Sequence, residues 1–368
     1  MVQLETWRCR RSDSVLDATR KGAGGMNNDL VVVAITTSSG CRGYSTALGA
    51  RSSLITQTYL HDNFAPLFLG RSVHDREALW YDYQKLYRYW AFFPIYLPGP
   101  IDVAMWDIAA KMAGLPLYQY LGGYRTSLPT YPSSLFLNSA DDYVALCHEY
   151  TKKGFSAFKA HPPGPWRKDR EVHQALRDAF PTLTLMSDPV ADYHLDEAIR
   201  VGRHLEKLDY HWFEEPFRDF EIDKYARLCS VLDIPVAGTE SVHTLTEMAQ
   251  AVIARSVDIL RADVSWRGGV TGLLKAAHLA EAHGMRCEIH TTTMGPMDIA
   301  NLHVSCAIKN CEYFELLVPE ELFQFPMKDP YPIDHEGMIH VPQKPGLGIE
   351  FDWEGIEASC LEYKVTKF

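Results

Sequence analysis

Six side chains that can bind a cation or move a proton recur in the second half of the chain at near-constant spacing: Asp188, Glu214, Glu240, Asp263, His290 and Glu315, between 23 and 27 residues apart. Three of them, Asp188, Glu214 and Glu240, are carboxylates on consecutive units. Brought to one poorly hydrated cavity, three free carboxylates repel one another and lose solvation, so they must either protonate or share a cation. An all-oxygen donor set without Cys or His favours Mg²⁺ over Zn²⁺, with water and substrate oxygens completing the coordination. The bland alternative gives each acid an arginine partner at the rim. That is the commoner fate of one strand-end carboxylate and the weaker explanation for three in succession.

The spacing is that of a strand followed by a helix. Short apolar runs recur (LPTYPSSLF, FSAFKAH, LTLMSD, HWFEEP, IPVAGTE, DILRAD, RCEIHTT and YFELLV), and helical spacing lies between them, as in DEAIRVGRHLEKL, TEMAQAVIARS and GLLKAAHLAEAHG. Alternating strand and helix predicts a parallel sheet, and eight strands predict a closed (β/α) barrel, α/β in class, over an open doubly wound sheet, since no GxGxxG loop is present. The polar residues then close the strands at one height, on the C-terminal rim where barrels carry their chemistry. Upstream, to about residue 127, the pattern is mixed. LVVVAITTSSG reads as a strand, and PGPIDVAMWDIAAKMAGLPL as a helix with Ile101, Ala104, Met105 and Ile108 on one face, ended by Gly114, Leu115 and Pro116.

With 46% hydrophobic and 23% charged residues the 368-residue chain is globular in composition, and its net charge of −11 with no basic run interleaved with aromatics argues against a nucleic-acid partner. No apolar stretch has the length of a spanning helix and the N-terminus lacks the apolar core of a signal peptide, so no membrane association and a cytoplasmic location are expected. The eight cysteines are scattered without a CxxC pair and are expected to be reduced, Cys287 beside His290 included, as a core thiol and not a nucleophile.

In this order and spacing, the segments CRGYSTALG, GPIDVAMWDIAAKMAGLPLYQYLGG, the acid of LTLMSD, EEP, GTE, DVSWRGGVTG, EIH and KPGLGIEFD resemble the enolase superfamily, in its mandelate racemase-like subgroup, over nearly the whole chain. The resemblance implies a (β/α)₇β TIM-like barrel (127–325), an N-terminal α+β capping domain with lid loops (1–126), and a C-terminal segment returning to that domain (326–368). It implies Mg²⁺ held by Asp188, Glu214 and Glu240; Glu215, the next residue, is read from its place at the strand end as a rim residue, an outer or ion-paired group. The superfamily's chemistry is abstraction of the α-proton of a carboxylate substrate, with Mg²⁺ stabilising the enediolate. By the same resemblance Asp263 and His290 form an Asp-His dyad, and Glu315, protonated, would donate to a substrate carboxylate oxygen.

Two stations depart from the family's pattern. Where the subgroup commonly carries Lys-x-Lys, this chain has Lys159, Ala160, His161; strand alternation sends Lys159 and His161 to the same side, one as acid or base and the other as positive charge, in either assignment. Where the family often shows D-x-N, this chain has Asp188, Pro189, Val190. Arg20 and Lys21 in the candidate lid ATRKGAGGMNND, and His194, Arg218, Trp266 and Arg267 just beyond strand ends, are candidate substrate contacts; STALGARSS is a second candidate lid loop. The expected activity is dehydration of a sugar acid to a 2-keto-3-deoxy acid by a Mg²⁺-dependent lyase. The alternatives are a cycloisomerase of a sugar-acid lactone or anhydro sugar acid, a racemase or epimerase, and, from a different class, a non-catalytic metal-binding barrel, which would be betrayed by loss of a station. Barrels of this kind often assemble into symmetric oligomers, and a homo-oligomer is the expectation.

Overall fold

The computed structural model describes residues 1–11, 29–48, 52–88, 94, 96–162, 164–190, 193–291 and 295–368. Arg20 and Lys21, most of the first candidate lid loop and part of the second lie outside them.

Strands β1 (Gln3–Cys9), β2 (Leu30–Thr36) and β3 (Arg42–Leu48) form an antiparallel sheet, completed on the far side of β1 by the last strand of the chain, β13 (Cys360–Lys367). One face of this sheet packs on the helix Gly99–Met112, whose Ile101, Ala104, Met105 and Ile108 join Val31, Val33 and Ile35 in a single apolar core. The approach is close enough that a Cβ on Gly43 would stand 2.1 Å from the Ala104 carbonyl oxygen. Gly114 ends the helix at φ +70°, and the Leu115 N–H returns 3.0 Å to the Ala110 carbonyl, the left-handed cap that glycine adopts without a Cβ penalty.

The opposite face of that helix meets the barrel. Among the described residues eight parallel strands, β4 (Ser127–Ser133), β5 (Ala157–Ala160), β6 (Thr184–Ser187), β7 (Trp212–Glu214), β8 (Val236–Gly238), β9 (Ile259–Ala262), β10 (Arg286–Ile289) and β11 (Phe314–Leu317), alternate with seven helices. The ladder runs β10-β9-β8-β7-β6-β5-β4-β11, and its two ends are bridged by the Cys287 N–H to the Asn310 carbonyl at 2.8 Å. A short strand, β12 (Met338–His340), pairs antiparallel with β4. The connecting helices start where the sequence supplies caps: Ser139 with Asp142, and Thr244 with Glu247, each form a reciprocal capping box.

Period-two alternation builds the barrel interior in layers. Tyr131, Ala157, Met186, Trp212, Ala237 and Ile259, one from each of β4 to β9, form an apolar layer. Two residues further along β5, β6, β7 and β9 come Lys159, Asp188, Glu214 and Arg261, all buried. The charged floor of the barrel mouth therefore rests on an apolar layer.

The cap is fastened to the barrel by buried polar bonds. Asp102 of the helix Gly99–Met112 accepts from both the N–H (2.9 Å) and the hydroxyl (2.6 Å) of Thr271, at the start of the helix Val270–Ala282. Gly269 precedes that helix at φ +102°, where a Cβ would sit 2.2 Å from Asp102 Oδ2. The eight cysteines are free, and burial pushes the Cys287 thiol up to about 12, an inert core thiol. Among the described residues no helix is long and apolar enough to cross a membrane.

Candidate active site

A cavity of about 330 Å³ opens at the C-terminal end of the strands, within the range of roughly 300–1,000 Å³ usual for small-molecule sites. Its polar wall includes Lys159, His161, Asp188, Glu240, His290 and Glu315, and an apolar side is formed by Leu135, Phe136, Val190 and Leu317. The strand-end residues thus meet in one place although the ladders stop slightly short of several of them, at Ser187, Gly238, Ala262 and Ile289.

Lys159 is 1% exposed, and its ammonium lies 2.7 Å from Glu315 Oε1, 3.1 Å from Glu214 Oε1 and 3.2 Å from Asp188 Oδ2. Burial opposes its charge, yet Glu214, Glu315 and Asp188 hold the amine well above its ordinary range. In this arrangement Lys159 is held as a positive charge by its three carboxylate partners. His161, on the same side of β5, lines the cavity; its Nδ1 donates to the Ser134 carbonyl at 2.5 Å, which leaves Nε2 facing Asp188 Oδ2 at 3.1 Å. The two side chains of this station have different surroundings.

His290 Nδ1 lies 2.9 Å from Asp263 Oδ2, and the other Asp263 oxygen accepts the Trp266 N–H at 2.7 Å. Asn301 steadies both residues' backbones, donating to the His290 carbonyl and accepting from the Val264 N–H. His290 Nε2 faces the cavity, 3.3 Å from Glu240 Oε1. Burial opposes the imidazolium, but Glu240 and Asp263 raise His290 to about 9.

Glu214 lies beneath the cavity wall, fully buried. Its oxygens are held by Lys159, by Arg261 Nε at 2.7 Å and by the Trp212 indole N–H at 2.9 Å. Glu215, the second acid of WFEEPF, turns to the cavity in a left-handed conformation (φ +39°), and Val190 (φ +55°) and Thr239 (φ +85°) show the same unusual backbone at neighbouring strand ends. Such non-glycine residues cost of order 1–3 kcal/mol and mark places where the surroundings dictate the backbone. Burial raises the Glu215 carboxyl well above its usual range, with Asp219 and Glu240 adding to the rise.

Arg261 is the residue that sequence reasoning missed. It bridges Glu214 and Glu315, its Nη2 lying 2.5 Å from Glu315 Oε2, with no exposed surface. The available signal was its position two residues before Asp263 on one strand, which places both on the inner face.

Five expectations need correction. Glu315 does not stand as a protonated donor: burial favours that form, but Lys159 and Arg261 pair with both oxygens and hold the carboxyl well below its usual range. Arg267 is buried and spends its guanidinium on backbone, Nη2 donating to the carbonyls of Thr239, of Glu240 (3.1 Å) and of Arg261 (3.3 Å), so it is not a substrate contact. Trp266 packs edge-on against Tyr96, ring centroids 4.8 Å apart, at the junction of cap and barrel and not on the acid-lined wall. His194 is exposed at the start of the helix Leu195–Lys207, off the cavity wall, and Arg218 is exposed as well.

The fit to a divalent cation rests on the donor chemistry. The Lys159 ammonium already bridges Asp188 and Glu214, so a cation between these two carboxylates has a precedent in the structure. Burial pushes the Glu240 carboxyl up to about 7, with Asp188 and Glu214 adding to the rise, and the positive charge of His290 and Arg261 offsets this only in part. Among the described residues the acids do not converge into a ready-made ion cage. The donor set suits a hard cation, and Glu240 would have to exchange its histidine for it.

Residues 142–355 match the family model described as enolase C-terminal domain-like, and residues 22–122 match the mandelate racemase / muconate lactonizing enzyme N-terminal domain. The chain belongs to the mandelate racemase-like subgroup of the enolase superfamily. It is 32% identical over 339 residues to the arabinonate dehydratase of Saccharolobus solfataricus, covering 89% of this chain and 90% of that protein. It is also 32% identical over 270 residues to the D-galactarolactone cycloisomerase of Agrobacterium fabrum, covering 70% of this chain and 71% of that one. The crystal structure of D-glucarate dehydratase from Agrobacterium tumefaciens complexed with magnesium superposes with a TM-score of 0.86 at 29% identity over 98% of each chain.

Proposed function

We propose that this protein is a Mg²⁺-dependent sugar-acid dehydratase: it removes the α-proton of an aldonic or aldaric acid and expels the β-hydroxyl as water, leaving an enol that tautomerises to the 2-keto-3-deoxy acid. The observation that carries the reading is that two imidazoles, His161 just after β5 and the Asp263-backed His290 just after β10, five strands apart along the sheet, line one cavity whose floor is a buried ammonium and carboxylates. Dehydration needs a base at Cα and an acid at the leaving oxygen, which this arrangement supplies.

Asp188, Glu214 and Glu240 would hold Mg²⁺, which supplies neutralisation of negative charge developing on the substrate carboxylate. Lys159 adds a fixed positive charge beside that carboxylate at no reorganisation cost. His161 takes the α-proton on Nε2, its ring held by the Nδ1 bond to the Ser134 carbonyl. His290 gives the Nε2 proton to the departing hydroxyl while Asp263 holds the ring and stabilises its charged form. Arg261 pairs with both Glu214 and Glu315 and holds them in place.

A second reading is favoured by one observation, the match to a lactone cycloisomerase over 70% of the chain. There the same two imidazoles act, but the leaving oxygen stays attached through the ring. The experiment is incubation of the Mg²⁺-loaded protein with a panel of sugar acids and their lactones: a 2-keto product formed with loss of water supports the dehydratase, and an isomer of unchanged mass selects the cycloisomerase.

A further inference from the structure

Glu240 stands two residues past the end of its strand, where ladder hydrogen bonds no longer hold the chain. What holds it is a clamp on its peptide groups. Asp219, in the loop between β7 and the helix Ile222–Cys229, accepts the Thr239 N–H on Oδ1 at 2.7 Å and the Ser241 N–H on Oδ2. Glu215 accepts the N–H between them, that of Glu240 itself, at 2.9 Å. Arg267 takes the carbonyls of Thr239 and Glu240 from another element. Three successive N–H groups and two successive carbonyls are thus consumed around one carboxylate, and Thr239, a β-branched residue, is kept at φ +85°.

Asp219 is itself immobilised. It is 5% exposed, its Oδ1 would lie 3.4 Å from a Cβ on Gly238, and the loop that carries it is tied by the Tyr225 hydroxyl to the Phe217 carbonyl at 2.8 Å. A buried carboxylate with both oxygens committed to backbone N–H groups is placed for positioning, not for contact with a ligand.

We infer that Asp219, with Glu215 and Arg267, is a positioning residue that fixes the backbone of Glu240 so that its carboxylate meets the cation bound by Asp188 and Glu214. The inference rests on the metal-dependent reading above. An asparagine at 219 can accept only one of the two N–H groups and turns a donor toward the other.

The test is Mg²⁺ titration calorimetry of the full-length wild type and of Asp219→Asn, with thermal unfolding of both in EDTA as the measure of fold. The expected result is Mg²⁺ binding weakened by about 10–100-fold in Asp219→Asn, the range seen when a partner of a metal ligand is removed, with metal-free melting close to wild type. Unchanged Mg²⁺ affinity in Asp219→Asn overturns the inference and leaves the functional reading standing. A wild type that binds no Mg²⁺ overturns both. If Asp219→Asn melts far below wild type without metal, Glu215→Gln and Glu215→Ala decide: glutamine keeps an acceptor for the Glu240 N–H and should retain affinity that alanine loses, whereas equal affinities contradict the clamp.

Discussion

The Asp263 carboxylate spans two partners, the His290 ring at 2.9 Å on one oxygen and the Trp266 N–H at 2.7 Å on the other, so the ring is oriented by a group that cannot rotate away. His290→Asn should lower kcat by about 10²–10⁴-fold, the usual worth of a positioned acid or base, while Mg²⁺ affinity by calorimetry stays within a few-fold of wild type. Asp263→Asn should lower kcat as well, because an amide cannot stabilise the imidazolium. Full turnover in either variant contradicts the assignment.

The two residues of the β5 station separate by stability. Lys159 neutralises three buried carboxylates, and removing one partner of such a network costs about 3–5 kcal/mol. Lys159→Met should therefore melt well below wild type in EDTA, and Mg²⁺ should raise its melting temperature by more than it raises that of the wild type, since the metal replaces lost positive charge. His161→Asn should melt near wild type but lose exchange of the substrate α-proton with solvent. Equal metal-free stability of the two variants would contradict the division of roles.

The cap–barrel fastening predicts a backbone effect. Alanine at Gly269 would occupy φ +102° and thrust a Cβ to within 2.2 Å of Asp102 Oδ2, breaking the bonds to Thr271. Gly269→Ala should lose at least about 2 kcal/mol in urea unfolding, and a loss below experimental error would show that the junction relaxes freely.

A pH effect is attached to His303. Its Nδ1 accepts the Tyr118 N–H and its Nε2–H donates to the Leu347 carbonyl, both at 3.0 Å, so the ring fits only as the neutral tautomer, and burial lowers it to about 4 from an ordinary value of 6.5. In the window from 6.5 down to about 4 the unfolded chain takes a proton that the native chain refuses, so native stability from this group is present above 6.5 and lost as pH falls. Asp102, raised by burial to about 6, acts with the opposite sign, so the test is a difference. Between pH 7 and 5, His303→Gln should lose less stability than wild type, by up to about 1.4 kcal/mol per pH unit; parallel pH profiles would contradict it.

The barrel was legible because its strands are short apolar runs separated by helical spacing, and every run read as a strand contains one. The Ile101, Ala104, Met105, Ile108 face was legible for the same reason. Sequence spacing places a residue at a height along the barrel, but beyond the strand end it carries no information on direction. Arg267, Trp266 and His194 were misread there, each turned by its loop to backbone, to an aromatic junction or to solvent. Asp219 and Glu215 escaped notice as a clamp because their partners are backbone N–H groups, which leave no trace in residue identity. Arg261 was hidden by its strand, where an arginine reads as surface unless its buried acid partners on β7 and β11 are known.

The central claim is that His161 and His290 act on the α- and β-positions of a sugar acid. The most direct measurement is incubation of the Mg²⁺-loaded protein with a sugar-acid panel in D₂O, followed by NMR and mass spectrometry of the products. The expected result is a 2-keto-3-deoxy acid with deuterium at C3 from at least one acid, formed at least about 10²-fold more slowly by His161→Asn and His290→Asn. Absence of both turnover and α-deuteration across the acids and their lactones would contradict the account.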